Sequence, residues 1–145
     1  MKFKIKKNSI ETQDDLEKLE KLEQSIFKES SYSRSTLLEI IKNYDNYTIF
    51  SCYSNKEIIA YIIVLNNIDY FEIIKIAVLE NYRNMGVGQS LIEMIKEKDT
   101  FLEVRQSNEV AIKFYLKNGF KKISLRKNYY KDNNEDAIIM KLEVN

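Results

Sequence analysis

Two of the chain's three glycines, Gly86 and Gly88, stand one residue apart in "YRNMGVGQSLIEMI" (residues 82–95), in a sequence with no proline. With so little punctuation available, this pair marks the place where the backbone is freest to turn sharply. It comes directly after an apolar strand pattern (residues 73–79) and directly before a helical one, Leu91, Ile92 and Ile95. A loop in that position points successive N–H groups outward, and the helix dipole adds partial positive charge, so the loop is a seat for an anion such as phosphate. The same residues also suit a plain turn with a glycine helix entry. Two phosphate motifs are not supported: no Gly-Lys-Ser/Thr follows at P-loop spacing, and Leu91 stands where a dinucleotide fingerprint has its third glycine.

Periodicity supplies the rest of the architecture. Phe3 and Ile5 alternate with lysines as in a strand. Leu16, Leu19, Leu22, Ile26 and Phe27 fall at helical spacing, with Asp14 and Asp15 near the start, and a second helix is expected over about residues 35–42. Residues 47–53, 58–65 and 70–79 are rich in β-branched and aromatic residues and are separated by polar turns, which predicts three neighbouring antiparallel strands. A short helix to about Glu97, a strand over 101–105, a helix over 109–117 stopped by Asn118-Gly119, and strands around 120–126 and 137–144 complete the order. The expected fold is α/β (α+β): a central, mostly antiparallel mixed sheet of about seven strands flanked by four helices. No repeat or linker interrupts it, so residues 1–145 are expected to form one domain, burying roughly two-thirds of the unfolded chain's surface.

Composition narrows the chemistry. Lys and Arg number 23 against 22 Asp and Glu, so there is no overall basic field to hold phosphate backbones, and nucleic acid is not the expected partner. Histidine is absent and Cys52 is the only cysteine, which removes disulfides, Cys/His zinc sites and histidine-based triads. No metal is expected, and catalysis falls to carboxylate, tyrosine, lysine or backbone groups. The longest apolar run, residues 58–65, is far below the ~20 residues of a membrane-spanning helix, and no signal-like stretch follows the basic first residues, so the expected location is cytoplasmic with no membrane partner.

Arg83-Asn84-Met85-Gly86-Val87-Gly88 resembles, in type and position, the acetyl-coenzyme A loop of the GNAT N-acetyltransferases, Gln/Arg-x-x-Gly-x-Gly/Ala between the fourth strand and the third helix. "LEVRQSNEVAIKFYLKNGF" (residues 102–120) and "RKNYYKDNNEDAIIM" (126–140) are similar to the RimI type within that family, whose members acetylate the N-terminal alanine of a ribosomal protein. The resemblance is close over roughly residues 76–140 and loose before that. It implies acetyl-CoA as cosubstrate, with no metal, and the N-terminal peptide of a ribosomal protein as partner. The enzyme is expected to be a monomer or weak dimer.

Alternation along the strand 101–105 puts Phe101, Glu103 and Arg105 on one face and Leu102 and Val104 on the other. A carboxylate on a central strand covered on both sides is either paired, with Arg105 or another base, or kept for function. The resemblance implies the second, with Glu103 as general base. Tyr115 reads from its helix as a core aromatic, and the resemblance makes it the acid that protonates the departing thiolate. Asn108 suits helix capping, shared with Ser107, and by resemblance also touches the coenzyme. The resemblance further implies that the backbone of Ile76, Ala77 and Val78 bonds the pantetheine arm like an added strand, and that Arg83, Asn84, Met85, Gly86, Val87, Gly88, Gln89 and Ser90 form the phosphate seat. Tyr129, Tyr130, Glu135 and Asp136, in a loop between the last strands, and Tyr32 are implied to border the peptide groove, where the acidic residues, Asp132 included, could attract a basic peptide.

Two departures from the RimI pattern stand out. The stretch between Gly88 and Phe101 is short, and Ser31-Tyr32-Ser33 lacks the Pro-Trp often found there. Both bear on the acceptor more than on the coenzyme. Besides the peptide α-amine acetyltransferase, a GNAT enzyme for a small amine and a non-catalytic acetyl-CoA-binding module remain open.

Overall fold

The computed structural model describes residues 2–144; Met1 and Asn145, the two ends of the expected domain, lie outside the described residues. Seven strands and four helices follow in the order β1 (Lys4–Lys7), α1 (Gln13–Phe27), α2 (Arg34–Lys42), β2 (Tyr47–Ser54), β3 (Glu57–Asn66), β4 (Tyr70–Val78), α3 (Val87–Glu93), β5 (Asp99–Arg105), α4 (Glu109–Lys117), β6 (Lys121–Tyr130) and β7 (Glu135–Leu142). Local chemistry sets the helix starts. Thr12 and Asp15 form a reciprocal capping box at α1, at 3.1 Å in each direction, and the Ser33 hydroxyl caps α2 by accepting from the Thr36 N–H. That cap starts α2 at Arg34, one residue earlier than the apolar spacing alone indicates.

One sheet carries all seven strands in the order β1-β2-β3-β4-β5-β7-β6. Every neighbouring pair is antiparallel except β4 and β5, which the α3 crossover makes parallel. Helices α1 and α2 cover one face of β2 to β4, burying Leu16, Leu19, Leu22 and Leu37 against Ile49, Tyr61 and Ile63. Helices α3 and α4 cover the other face, where Leu91, Ile92, Ile112 and Tyr115 meet Ile62, Leu102, Val104, Ile138 and Met140. Among the described residues no helix is long and apolar enough to cross a membrane.

Two stretches of chain and the exposure of one face differ from the sequence expectation. Helix α3 ends at Glu93 rather than near Glu97, because the Met94 and Ile95 amides bond three residues back and tighten the chain into turns. Strand β6 runs on to Tyr130, past two register shifts, and the expected loop over 129–136 shrinks to the turn at 131–134. The face of β5 carrying Phe101, Glu103 and Arg105 is half-buried, not covered, since its alternate residues Thr100, Leu102 and Val104 take the core side.

The parallel ladder is short. It joins Tyr70 to Asp99, Phe71 to Thr100 and Glu72 to Phe101, and then stops. Beyond that rung the two strands continue unpaired with each other, while β4 keeps its partners on β3 and β5 keeps its partners on β7. The sheet is therefore forked in the middle.

Candidate active site

The open edge of β4 forms one wall of the fork. The Leu79 N–H bonds the Ile59 carbonyl at 2.8 Å, and by antiparallel alternation the polar groups of Ala77 also turn toward β3, opposite Tyr61. Those of Ile76 and Val78 therefore face the fork, so of the three residues expected to line it only these two offer backbone groups. The Val78 carbonyl already accepts from Arg83 Nε at 2.9 Å, which ties the following loop across the strand end. Arg83 is thus a brace of the loop.

The glycine turn follows. Asn84 (φ +61°) and Gly86 (φ +81°) both adopt left-handed conformations, and Gly86 is the N-cap of α3. A Cβ at Gly86 would meet nothing within 4 Å, so its glycine is required by dihedral and not by crowding. The amides of Val87, Gly88 and Gln89 lie in the first turn, where no helical carbonyl precedes them as acceptor. Ser90 turns its hydroxyl back to the Gly86 carbonyl at 2.9 Å, and Met85 is exposed. Gly88 is also closely packed: a Cβ there would lie 2.9 Å from two atoms of the Phe114 ring, so its lack of a side chain admits α4 against α3. Replacing Gly86 by Ala is expected to cost about 1–2 kcal/mol, the usual strain of a left-handed non-glycine residue; urea unfolding checks it, and coenzyme affinity should weaken with it.

Glu103 stands on β5 at the fork, on the α1/α2 side of the sheet. Arg126 of β6 approaches its Oε1 at 3.8 Å, and Oε2 is buried without a hydrogen-bond partner among the described residues. The Tyr129 phenol lies near the same carboxylate, and its interaction with Glu103 raises the phenol's pKa. Arg105, one partner that position alone offered Glu103, is engaged elsewhere: it holds both oxygens of Asp132 at 3.1 Å, reaches Glu135 at 3.3 Å, and stacks on Tyr130 at 4.0 Å. The β6–β7 hairpin provides those partners, which strand alternation alone does not reveal.

Tyr115 lies on the opposite side of the sheet. Its ring is 7% exposed and packs edge-on against Phe114 and Phe120, and burial pushes its hydroxyl pKa up, so it stays protonated. Glu103 and Tyr115 thus lie on opposite sides of the sheet. Asn108 caps α4 by accepting from the Ala111 N–H at 3.2 Å. Ser107 does not share that task, since its own N–H donates to Glu135 Oε2 at 2.6 Å.

The three acids expected to attract a peptide are bound into the hairpin, Asp132 by both its oxygens to Arg105. Glu135 receives Ser107 and Arg105, and Asp136 Oδ1 accepts the Asn128 N–H at 2.8 Å. The contact with Ser107 holds the Glu135 carboxyl down at about 2, well below an unfolded glutamate. A depressed folded pKa stabilises above the unfolded value and is lost as pH falls through the folded one. The stability difference between the native chain and Glu135→Gln is therefore expected to be constant near neutrality and to shrink between about pH 4.5 and 2. Urea titrations at a series of pH values measure it; a difference that grows on acidification contradicts the assignment.

Tyr32 sits in the α1–α2 connection, its N–H bonded to Glu23 Oε2 at 2.7 Å and its ring 3.7 Å from the Lys75 ammonium. Glu23 and Lys75 escaped the sequence reading, as did Glu72 and Arg126. Signals existed: Glu23 occupies the apolar helical spacing of Leu16 and Leu19, and Glu72 and Lys75 are the only charges in "YFEIIKIAV". A concavity of about 240 Å³ among Asn8, Ile10, Ile40, Tyr44 and Tyr47 is lined by none of these groups.

A sheet forked beside a glycine turn, with an acid on one face and a protonated phenol on the other, defines an acyl-coenzyme A-dependent acyltransferase. The chain belongs to the acetyltransferase (GNAT) family, whose sequence profile matches residues 14–120, and it is accordingly an N-acetyltransferase. It is similar to the [ribosomal protein bS18]-alanine N-acetyltransferase of Escherichia coli (strain K12), 36% identical over 109 residues, 69% of this chain and 74% of that one. A Bacillus subtilis (strain 168) protein provisionally assigned as the same enzyme is 33% identical over 140 residues, 91% of each chain. The crystal structure of the E. coli ribosomal-protein-S18-alanine N-acetyltransferase superposes with a TM-score of 0.82 at 30% identity, covering 99% of this chain and 94% of that one.

Proposed function

We propose that the enzyme moves the acetyl group of acetyl-CoA to the N-terminal α-amine, alanine first, of a ribosomal protein. The observation that carries this reading is the Glu103 carboxylate, held at the fork by Arg126 with one oxygen buried and unpartnered. A buried acceptor left open is costly, and a donor arriving with the acceptor substrate satisfies it. The likeness to bS18-alanine N-acetyltransferases over most of the chain supports the same class of acceptor.

The residues fit the coenzyme. The backbone groups of Ile76 and the Val78 N–H, which face the fork, suit its amide-bearing arm in the manner of an added strand, and the first-turn amides of α3 suit its diphosphate. Residues 83–90 and Asn108 at the head of α4 surround that place in the chain. When bound, acetyl-CoA supplies an acetyl group already activated as a thioester. Glu103 takes the proton from the attacking amine, an undemanding task because an α-amine has a pKa of about 7.7–8.0. Tyr115 holds a proton for the departing sulfur. Its hydroxyl binds that proton more firmly than a thiol does, so it steadies the sulfur by a hydrogen bond and assists rather than enables departure. Tyr32, Tyr129 and Tyr130 line the acceptor side, with Glu135 and Asp136 shaping the hairpin that carries the last two.

A thiol-release assay tests the reading with three acceptors: an Ala-starting ribosomal-protein peptide, a lysine peptide blocked at its N-terminus, and a panel of small amines. Turnover on the first alone is expected. Preference for the panel favours a small-amine enzyme, a reading to which a Bacillus anthracis protein provisionally assigned as a streptothricin acetyltransferase gives some weight at 31% identity, covering 69% of this chain. Coenzyme binding without turnover on any acceptor indicates a binding module.

A further inference from the structure

Charge is not spread evenly along this chain. Residues 111–131, which run through α4 and β6, carry seven Lys and Arg and no Asp or Glu, in a chain whose net charge is +1. All seven are exposed, and among the described residues only Arg126 has a carboxylate partner. The stretch includes a sheet edge. Among the described residues β6 is the last strand, pairs only with β7, and is exposed over residues 121–129. No other element covers its outer row of N–H and C=O groups.

The cations flank that edge on both sides. Lys122 and Leu125 stand opposite Met140 and Ile138, whose side chains join the core under α3 and α4. Arg126 turns to Glu103 on the other side of the sheet, and Lys121 stands opposite Lys141, which lies over the Phe101 ring on that same side. Lys113 and Lys117, exposed on α4, add to the first side. Lysines on an edge strand also serve to keep edges apart. That role does not account for Ile123 and Leu125, 51% and 44% exposed among those charges, or for the lysines of α4.

The arrangement discriminates between occupants. A second copy bringing the same edge would set like charges opposite one another. A nucleic-acid duplex would rest against one side of the sheet, whereas these cations straddle it. A strand lying in the plane of the sheet sends alternate side chains to both sides, so its carboxylates meet both sets of cations. We infer that the outer edge of β6 is a docking site for an acidic, extended segment of a partner protein, added to the sheet as a further strand by backbone hydrogen bonds. Apolar side chains of that segment cover Ile123 and Leu125. Its docking does not depend on which amine the enzyme acetylates.

The probe is a capped peptide of two Glu-Glu-Val-Val repeats, whose glutamate pairs send one carboxylate to each side. Amide NMR of the isotope-labelled enzyme follows its binding. Saturable shifts centred on the amides of residues 121–127 are expected, and Lys122→Glu combined with Lys127→Glu should weaken the peptide about tenfold. Both side chains are exposed, so this variant should keep native stability and acetyl-CoA affinity. The same peptide N-methylated at every valine keeps its charge but loses donors on both its edges, and should bind about tenfold more weakly or worse. The inference is overturned by the absence of saturable β6 shifts in the native enzyme, by undiminished affinity of the double variant, or by equal affinity of the N-methylated peptide. Tighter binding of an oligouridylate of the same charge at these amides makes the edge a nucleic-acid surface and overturns it too. So does sedimentation of the native enzyme as a dimer that Ile123→Lys dissociates, which assigns the edge to a second copy.

Discussion

Glu103→Gln is expected to lower kcat by roughly 10²–10⁴-fold, the usual loss when a positioned general base is removed. The amide keeps the size and the approach of Arg126 but has no basic oxygen with which to take the proton. Affinity for acetyl-CoA should not change, because the residue lies on the acceptor side of the fork, away from the glycine turn. Tyr115→Phe should be the milder lesion, about tenfold, since its phenol assists a leaving group that departs readily. The replacement also keeps the ring packing with Phe114 and Phe120. Steady-state thiol release with calorimetry on both variants decides the matter. If Glu103→Gln retains more than a tenth of native kcat, or if Tyr115→Phe is the more damaging change, the division of roles is wrong.

The order of elements and the glycine turn were legible because each rests on local spacing: apolar residues at period two or near 3.6, and a glycine where φ must be positive. The fork was not. Where the β4–β5 ladder stops depends on how two strands distant in sequence twist past each other, and neither strand's composition records it. For the same reason strand alternation offers Arg105, two residues along the same face, as a partner for Glu103, whereas the hairpin delivers Asp132 and Glu135 to that arginine and Arg126 to the glutamate. The hairpin acids were legible as charges but not as bonded groups, because the amides of Ser107 and Asn128 that they accept from come from other turns of the chain. Asparagine carries turn information that apolar periodicity does not show. Asn8, Asn55, Asn84, Asn128 and Asn134 all adopt left-handed turn conformations, the role that glycine fills in a chain better supplied with it.

Glu23→Ala is expected to destabilise the enzyme by about 3–5 kcal/mol, the cost of breaking a buried ion pair by removing one partner. Glu23 is fully buried on α1. It accepts the Tyr61 hydroxyl, the Tyr32 N–H and the Lys75 ammonium, the last at 2.5 Å. Lys75 is itself only 12% exposed and lies 3.9 Å from the centre of the Phe27 ring, so no water-rich surface is at hand to take over its charge. Truncation leaves a cation facing two aromatic rings and a buried hydroxyl without its acceptor. Replacing the group together, as Glu23→Leu with Lys75→Met and Tyr61→Phe, should be less damaging than the single change, because no charge or donor is then stranded. The functional effect should follow geometry. Glu23 fixes the Tyr32 amide and so the α1–α2 connection, which implies a higher peptide KM with acetyl-CoA affinity kept. Urea denaturation of the single and triple variants, with KM measured well below the single variant's unfolding midpoint, tests both parts. A Glu23→Ala enzyme within about 1 kcal/mol of native stability would show the ion pair to be worth no more than a surface one.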